Sequence, residues 1–513
     1  MNNVIINRGQ GGLGRQPLGQ DFISGLVLYG PYPSAFSAGN NILKFGGISD
    51  AINAGINNTY SDETTATGSI TITTIGATGD VYSIYFQEPV NNVLLATYTQ
   101  TAADTIGGPN VLAANITTAI NVNSPNNGGY TASNTSSPIV TIKARLGLGE
   151  FPNTKSVAIV TTSITFVSTI APFSGGAASV LATWYYHINR YFTQSPNATL
   201  YVGVWPVPSW TDHTFTEVAA IQNFTNGNIR QCGVYVPATF EHSQITAMQA
   251  QVASLIAINS PMSVIVGADL SATTASALTD LSGLNSEHVS ISAGQDGGAQ
   301  GAALFAAQGF SVTQLGDVLG LVSSSQVSDD IAWVATYTLS PDGIENAVPA
   351  FATGELLSNL TTGTINAVDA YRYIFGRQFV NDSPNGTFVN DSHCATAYTS
   401  DYAYIENNRT FDKASRQLYA AYIEQLAAPL VLNADGTLTN STVAFFEGIG
   451  EQALSNMAQT NPNTGRPELS GFKVTINPAQ NVLSTSTLVV TVLLQPVGVA
   501  REIVINLQFA ITV

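Results

Sequence analysis

The last fifteen residues of this 513-residue chain constrain its fold more than any other stretch. Val499, Ile503, Ile505, Leu507, Phe509, Ile511 and Val513 fall on one side of an extended chain, with Glu502, Asn506, Gln508 and Thr512 on the other; only Arg501 and Val504 break the alternation. A period of two predicts a strand over 499–513 with one apolar face. At ~3.3 Å per residue it would reach roughly 50 Å, well beyond the usual strand of about 5–6 residues. That apolar face needs a cover. A long hairpin lying on the chain's own helices is one. An arm that leaves the subunit and completes a neighbour's sheet is another, in which backbone bonds supply affinity and alternate side chains supply register. Just upstream, Gln495-Pro496-Val497-Gly498 puts proline second and glycine fourth, the signature of a tight turn.

The rest of the chain reads as an α/β body with an inserted β-rich domain. Val4, Ile5 and Ile6 form a short strand, followed by glycine-rich text and a second apolar run at 22–29. Between 60 and 173 Thr, Ser, Asn and Gly dominate, with β-prone runs at 68–75, 81–86, 93–98, 139–144 and 157–167 and one short helix near 111–120. From 175 onward, apolar runs at 200–205, 231–236, 262–266 and 288–291 alternate with helical patterns at 213–224, 242–258 and 271–281, and a further helix is expected at 300–307. Ile245, Met248, Val252, Leu255 and Ile256 make a sheet-covering stripe. Two amphipathic helices follow. Phe411, Ala414, Leu418, Tyr422 and Leu426 share one face, opposite Asp412, Lys413 and Arg416; Val443, Phe446, Leu454 and Met457 repeat the pattern. Strands resume at 469–476 and 487–494. The expected division is an N-terminal arm and first strand at 1–30, a body at 31–59 and 174–498, an insertion at 60–173 and a C-terminal strand arm at 499–513.

Several function classes fail on composition and spacing. Sixteen basic against thirty-three acidic side chains give a net charge of −17, with no basic stripe to track phosphates, so a nucleic-acid partner is not expected. No run has the ~18 consecutive apolar residues of a membrane helix. Residues 1–9 lack a basic region followed by an apolar core, so a product made in a reducing compartment is expected, with Cys232 and Cys394 as buried thiols. Gly9, Gly11, Gly12 and Gly14 match the spacing of a dinucleotide fingerprint, but Arg15-Gln16-Pro17 makes a poor helix start, so they read as arm backbone. His187, His213, His242, His288 and His393 form no paired metal motif, and no Gly-x-Ser-x-Gly elbow occurs. Asn433-Ala434-Asp435-Gly436-Thr437 lacks the terminal acid of a calcium loop and reads as an Asp-Gly turn. Asp329-Asp330 reads as helix initiation or a solvated pair, and the Trp184-Tyr185-Tyr186 cluster as helix packing on a sheet. No catalytic, metal or cofactor site is expected. A surface-binding or capsid-like β-rich protein also fits the low charge, and a hydrolase with a distributed site is the enzymatic alternative.

Asn3-Val4-Ile5-Ile6-Asn7-Arg8-Gly9-Gln10-Gly11-Gly12-Leu13-Gly14, followed by Asp21-Phe22-Ile23-Ser24-Gly25-Leu26, resembles the start of contractile phage tail sheath proteins, in particular a divergent branch, and is similar to sheaths of contractile injection systems. The resemblance is strongest over 1–30 and architectural over 175–513. It implies a non-enzymatic subunit stacked in six-fold rings around a tail tube, with baseplate and tail terminator proteins as further partners. The setting it implies is a virion tail assembled in the bacterial cytoplasm. It also implies arms that pair with neighbouring subunits, here Val4, Ile5 and Ile6 at one end and Ile503, Ile505, Leu507, Phe509 and Ile511 at the other. Gly9, Gly11, Gly12, Gly14, Pro496 and Gly498 are then arm hinges or close-packing points, and the insertion faces outward. The very low Lys/Arg content and the Asn/Thr-rich insertion depart from better-known sheaths.

Overall fold

The computed structural model describes residues 20–379, 385–462 and 464–505. Val4, Ile5, Ile6, Gly9, Gly11, Gly12, Gly14, Leu507, Phe509 and Ile511, expected to belong to the arms, lie outside those residues. The fold is mixed α/β. Its centre is a seven-stranded sheet in the order Tyr373–Ile374, Val289–Ser292, Ser263–Asp269, Gln231–Thr239, Ile23–Tyr29, Thr199–Trp205, Ile42–Phe45. All neighbours are parallel except the last pair, where Ile42–Phe45 runs antiparallel to Thr199–Trp205.

Strands of such a sheet are buried on both faces, which is why they appear in sequence as unbroken apolar runs. Val27, Tyr29, Val234, Val236, Val264 and Val266 face one side and pack against Val218 and Ile221 of the Thr216–Phe224 helix and Ile245, Met248, Val252 and Leu255 of the His242–Ile256 helix. Leu26, Leu28, Val202, Val204, Tyr235 and Ile265 face the other, under Trp184, Ile188 and Tyr191 of the Val180–Gln194 helix and Leu315, Val318, Leu319 and Val322 of the Leu315–Ser324 helix. These last two helices touch backbone to backbone. A Cβ at Gly316 would stand 2.3 Å from the His187 carbonyl oxygen, and one at Gly320 would stand 2.7 Å from that of Tyr191. The buried Arg190 pins the pair, its Nε donating to Asp317 at 2.9 Å and its Nη1 to Asp342 at 2.5 Å.

Residues between 66 and 173 gather around a separate core that includes Ile70, Tyr82, Phe86, Leu112, Ile116, Tyr130 and Phe173. A four-stranded and a three-stranded antiparallel sheet enclose it with the Ala102–Val122 helix. That helix is longer than the 111–120 segment expected. Thr101 and Asp104 form a capping box upstream, and Gly108 (φ 74°) with Pro109 kinks the helix instead of ending it. The strand expected over 157–167 is split into Ala158–Thr161 and Val167–Ser174. Between them, the hydroxyls of Thr161 and Ser163 accept from the backbone N–H groups of Ser163 and Thr165, a local alternative to the ladder.

Other expectations need correction. The helix expected at 271–281 is two single 3₁₀ turns, Ala275–Ala277 and Ser282–Leu284, because Asp269 and Asp280 turn the backbone at Ser271 and Ser282. The Ile405–Ile423 helix does not send its charges to water. Asp412 is buried beside His288, and Lys413 pairs with Asp21 and Glu468 at 2.7 Å each, while Phe411, Tyr419 and Ile423 are exposed. Asp329 and Asp330 initiate no helix and are both buried. Trp184 does pack against the sheet, fully buried. Asn433 to Thr437 is a turn in which the Asp435 carboxylate accepts from the Thr437 N–H and hydroxyl.

Candidate functional site

Chemistry of small molecules in open α/β sheets collects at the carboxyl ends of strands where the strand order reverses. Here that point lies at the end of Ile23–Tyr29, and it is filled. The Tyr29 ring meets Trp210 at 5.0 Å, His213 at 5.8 Å and Phe215 at 6.5 Å, edge to face. The histidines stay dispersed. His213 contacts Glu217, His242 contacts Thr279, His288 contacts Asp412 and His393 contacts Asp369. His187 is fully buried between Tyr186 and Tyr235, and burial pushes its pKa down to about 3. Burial pushes both thiols up, Cys394 to about 12, so neither is a ready nucleophile. Among the described residues no group of three or more His, Cys, Asp and Glu is arranged to hold a metal.

The C-terminal region carries the more informative geometry. The helices Ile405–Ile423 and Asn440–Ala458 lie against an antiparallel hairpin, Leu469–Thr475 with Thr491–Pro496. Ala414, Leu454, Met457, Leu469 and Val474 form its small core, with Phe472, Val492 and Leu494 packed alongside. The period of two then leaves Leu493 and Val489 facing out, both exposed. The hairpin is a two-stranded sheet among the described residues, so each strand keeps one edge whose backbone groups meet no third strand. Edges of this kind are templates for pairing with another chain.

Past the hairpin the turn expected at 495–498 does not form. Pro496 continues the ladder opposite Leu469, and a Cβ at Gly498 would meet open space, so this glycine is not a close-packing point within the subunit. The described part of the expected last strand, 499–505, is in no ladder, and Ile503, Val504 and Ile505 are 77%, 72% and 81% exposed. Over these residues the strand expected in sequence does not form.

What holds the segment is Arg501, which interrupted the pattern in sequence. Its Nη2 donates to Glu406 and lies 3.1 Å from Asp330, and its Nε lies 3.1 Å from Asp391. The guanidinium sits 3.5 Å from the centre of the Tyr404 ring. Ser392 donates its hydroxyl to Glu406 and its N–H to Asp391, and the Ala332 N–H donates to Asp330 at 2.8 Å. Burial, then the charges of Glu406 and Asp391, pushes Asp330 up to about 8. Burial works against the charge of Arg501, but Glu406, Asp391 and Asp330 together hold it more firmly protonated than usual. The seat went unread in the sequence, although a lone arginine inside an apolar run, in a chain with only 16 Lys and Arg, was its signal.

Two family models match the chain in succession. Residues 51–393 match the family model described as DUF2586, N-terminal domain, and residues 401–513 match DUF2586, C-terminal domain. No curated protein matches the chain. A chain in the cryo-EM structure of the anti-feeding prophage (AFP) baseplate, 6-fold symmetrised, is similar at 13% identity and a TM-score of 0.41, over 64% of this chain and 81% of that one. The two consecutive family matches, which together run through most of the sequence, make this chain a member of the DUF2586 family.

Proposed function

We propose that the chain is a structural subunit of a contractile tail sheath or a related contractile assembly, without enzymatic activity. In this reading it polymerises as stacked six-fold rings around a tail tube, between baseplate and terminator proteins, and rearranges to a shorter, wider state that drives the tube through a cell envelope. The observation that carries it is the hairpin whose outer edges are unpaired among the described residues, continued by a segment in which Ile503, Val504 and Ile505 are exposed. A third strand from a second copy supplies both missing partners at once, the hydrogen bonds of the edge and the apolar contacts of Leu493 and of Ile503 to Ile505.

The body then acts as a rigid block whose two-sided core survives the rearrangement, and the arms keep the blocks connected. Val4 to Ile6 and Ile503 to Ile511 are the tethers, the glycines at 9–14 and Gly498 the bends, and the 66–173 core the outward decoration. Negative-stain microscopy of the purified chain tests this: hollow tubes or stacked rings are expected, and uniformly monomeric particles across protein and salt concentrations would overturn it. Deletion of 499–513 is expected to abolish ordered assembly while leaving the helical circular-dichroism signal of the body.

A further inference from the structure

A cation caught by three carboxylates is more than one exposed arm residue needs for solubility. The seat joins the two parts of the chain that match separate family domains. Asp330 and Asp391 come from the first, Tyr404, Glu406 and Arg501 from the second. It is built for a guanidinium in particular. Asp391 faces Nε with both carboxylate oxygens at 3.1 Å, Glu406 and Asp330 share Nη2, and the plane of the fork rests on Tyr404. A lysine ammonium has neither the fork nor the flat face to match this arrangement. Ser392 and the Ala332 N–H hold the carboxylates of Glu406 and Asp330 from behind. The side chains of Glu406 and Asp330 are only 2% and 6% exposed.

Residues 497–500 and 502–505 form no ladder; Val497 and Val499 are half-buried, while Ile503, Val504 and Ile505 are exposed. Arg501 is thus the contact on which the position of this segment depends.

We propose that Arg501 is a latch: seated between Asp391, Glu406 and Asp330 on Tyr404 of its own subunit, it holds the segment 497–505 against the body, and it must leave that seat before the arm can pair with a second copy. The first half stands on the geometry of one chain; the second rests on the assembly reading above. Autonomous latching of this kind keeps an aggregation-prone apolar segment near its own body until a partner edge competes for it. The exchange is a competition between one seated arginine and a row of backbone hydrogen bonds, so weakening the seat should favour assembly.

Trypsin reads the latch directly, because it must take the Arg501 side chain into its own pocket before it can cut the chain there. The full chain is digested, and loss of 502–513 is followed by mass and normalised to cleavage after the exposed Lys155 in the same digest. Wild type is compared with Asp391→Asn, Glu406→Gln and the double variant. Cleavage after Arg501 is expected to rise about tenfold in the double variant, as the loss of charge-assisted hydrogen bonds allows. Asp391→Asn alone, at the more open side of the seat, is expected to give a smaller rise with an unchanged thermal melt, which keeps the test alive if Glu406→Gln disturbs folding. Cleavage after Arg501 in Asp391→Asn and in any folded double variant within about twofold of wild type overturns the latch. Sedimentation of the same samples separates the two ideas. Faster cleavage with faster assembly supports both. Faster cleavage in a chain that stays monomeric leaves the latch standing and counts against the assembly reading.

Discussion

The seven-stranded sheet of the body and the two-stranded hairpin at the end of the described chain are both amphipathic designs, completed to different degrees. Every strand of the sheet from Ile23–Tyr29 to Val289–Ser292 has neighbours on both edges and helices on both faces. The hairpin has one helical face and one open face, and among the described residues neither outer edge is paired. The central sheet encloses its apolar side chains within one subunit, whereas the hairpin and the segment after it leave Leu493, Ile503, Val504 and Ile505 exposed. The difference is one of location: the two-sided core lies in the body, and the unpaired hairpin edges lie in the last part of the described chain.

The largest effect expected from that contrast is in the body. Trp184 is 1% exposed and fills the space above Gly30, where a Cβ would stand 2.8 Å from its ring. Trp184→Ala should lower unfolding free energy by about 3–5 kcal/mol, the range for emptying a large aromatic site. Urea unfolding followed by circular dichroism measures it, and a loss under about 1 kcal/mol would mean that the body is loosely packed and the contrast false. A second, smaller loss is expected at the helix that supports the hairpin. The Thr439 hydroxyl accepts from the Thr442 N–H at the start of Asn440–Ala458. Thr439→Ala should cost about 1 kcal/mol, measured the same way.

The same division decided what could be read from sequence. Val27, Val234 and Val264 lie in short unbroken apolar runs, and the His242–Ile256 stripe is regular, so the body's strands and that helix were legible from pattern alone. Long-range charge pairing was not. Asp412, Lys413 and Arg416 look like a solvent face because their partners, His288 for Asp412, Asp21 and Glu468 for Lys413, and the Pro261 carbonyl for Arg416, lie far away in sequence. Asp330 failed for the same reason, its partner Arg501 being 171 residues on (501 − 330). The expected strand at 499–505 does not form, since a lone extended segment has no ladder to join, and residues 500–505 are exposed on both sides of the predicted alternation.

On the open face of the hairpin the expected effect on stability is slight. Leu493 is exposed, so Leu493→Asp should change unfolding free energy by no more than about 0.5 kcal/mol. Its effect on association should be large, because an unpaired charge would then enter the proposed interface. Sedimentation velocity against wild type checks this. An equal tendency to assemble in both proteins would show that this face meets no neighbour.

A different kind of effect is a change of slope with pH, and it distinguishes how the two regions handle charge. In the body, Arg190 faces two acids, Asp317 and Asp342. In the seat, Arg501 faces three, and the surplus is relieved by a proton. Burial and then the charges of Glu406 and Asp391 lift Asp330 to about 8, and burial lifts Glu406 as well, against the pull of Arg501. An unfolded aspartate loses its proton near pH ~4. Between about pH 4 and 8 the folded chain therefore binds more protons at Asp330 than the unfolded chain does, and raising the pH across that window favours unfolding. The contribution of this group is greatest below the window and reaches its least favourable value above it. Asp330→Asn removes the titration. Its urea midpoint should fall less than that of wild type between about pH 5 and 8, and above the window the variant should be the more stable of the two. Titrating groups remote from the seat are common to both proteins and cancel in the difference, whereas Glu406 and Asp391, whose charges act on Asp330, change with it. Parallel profiles would mean that Asp330 is already ionised in the folded chain at pH ~5, so that Arg501 balances all three carboxylates and the seat is no less balanced than the Arg190 site.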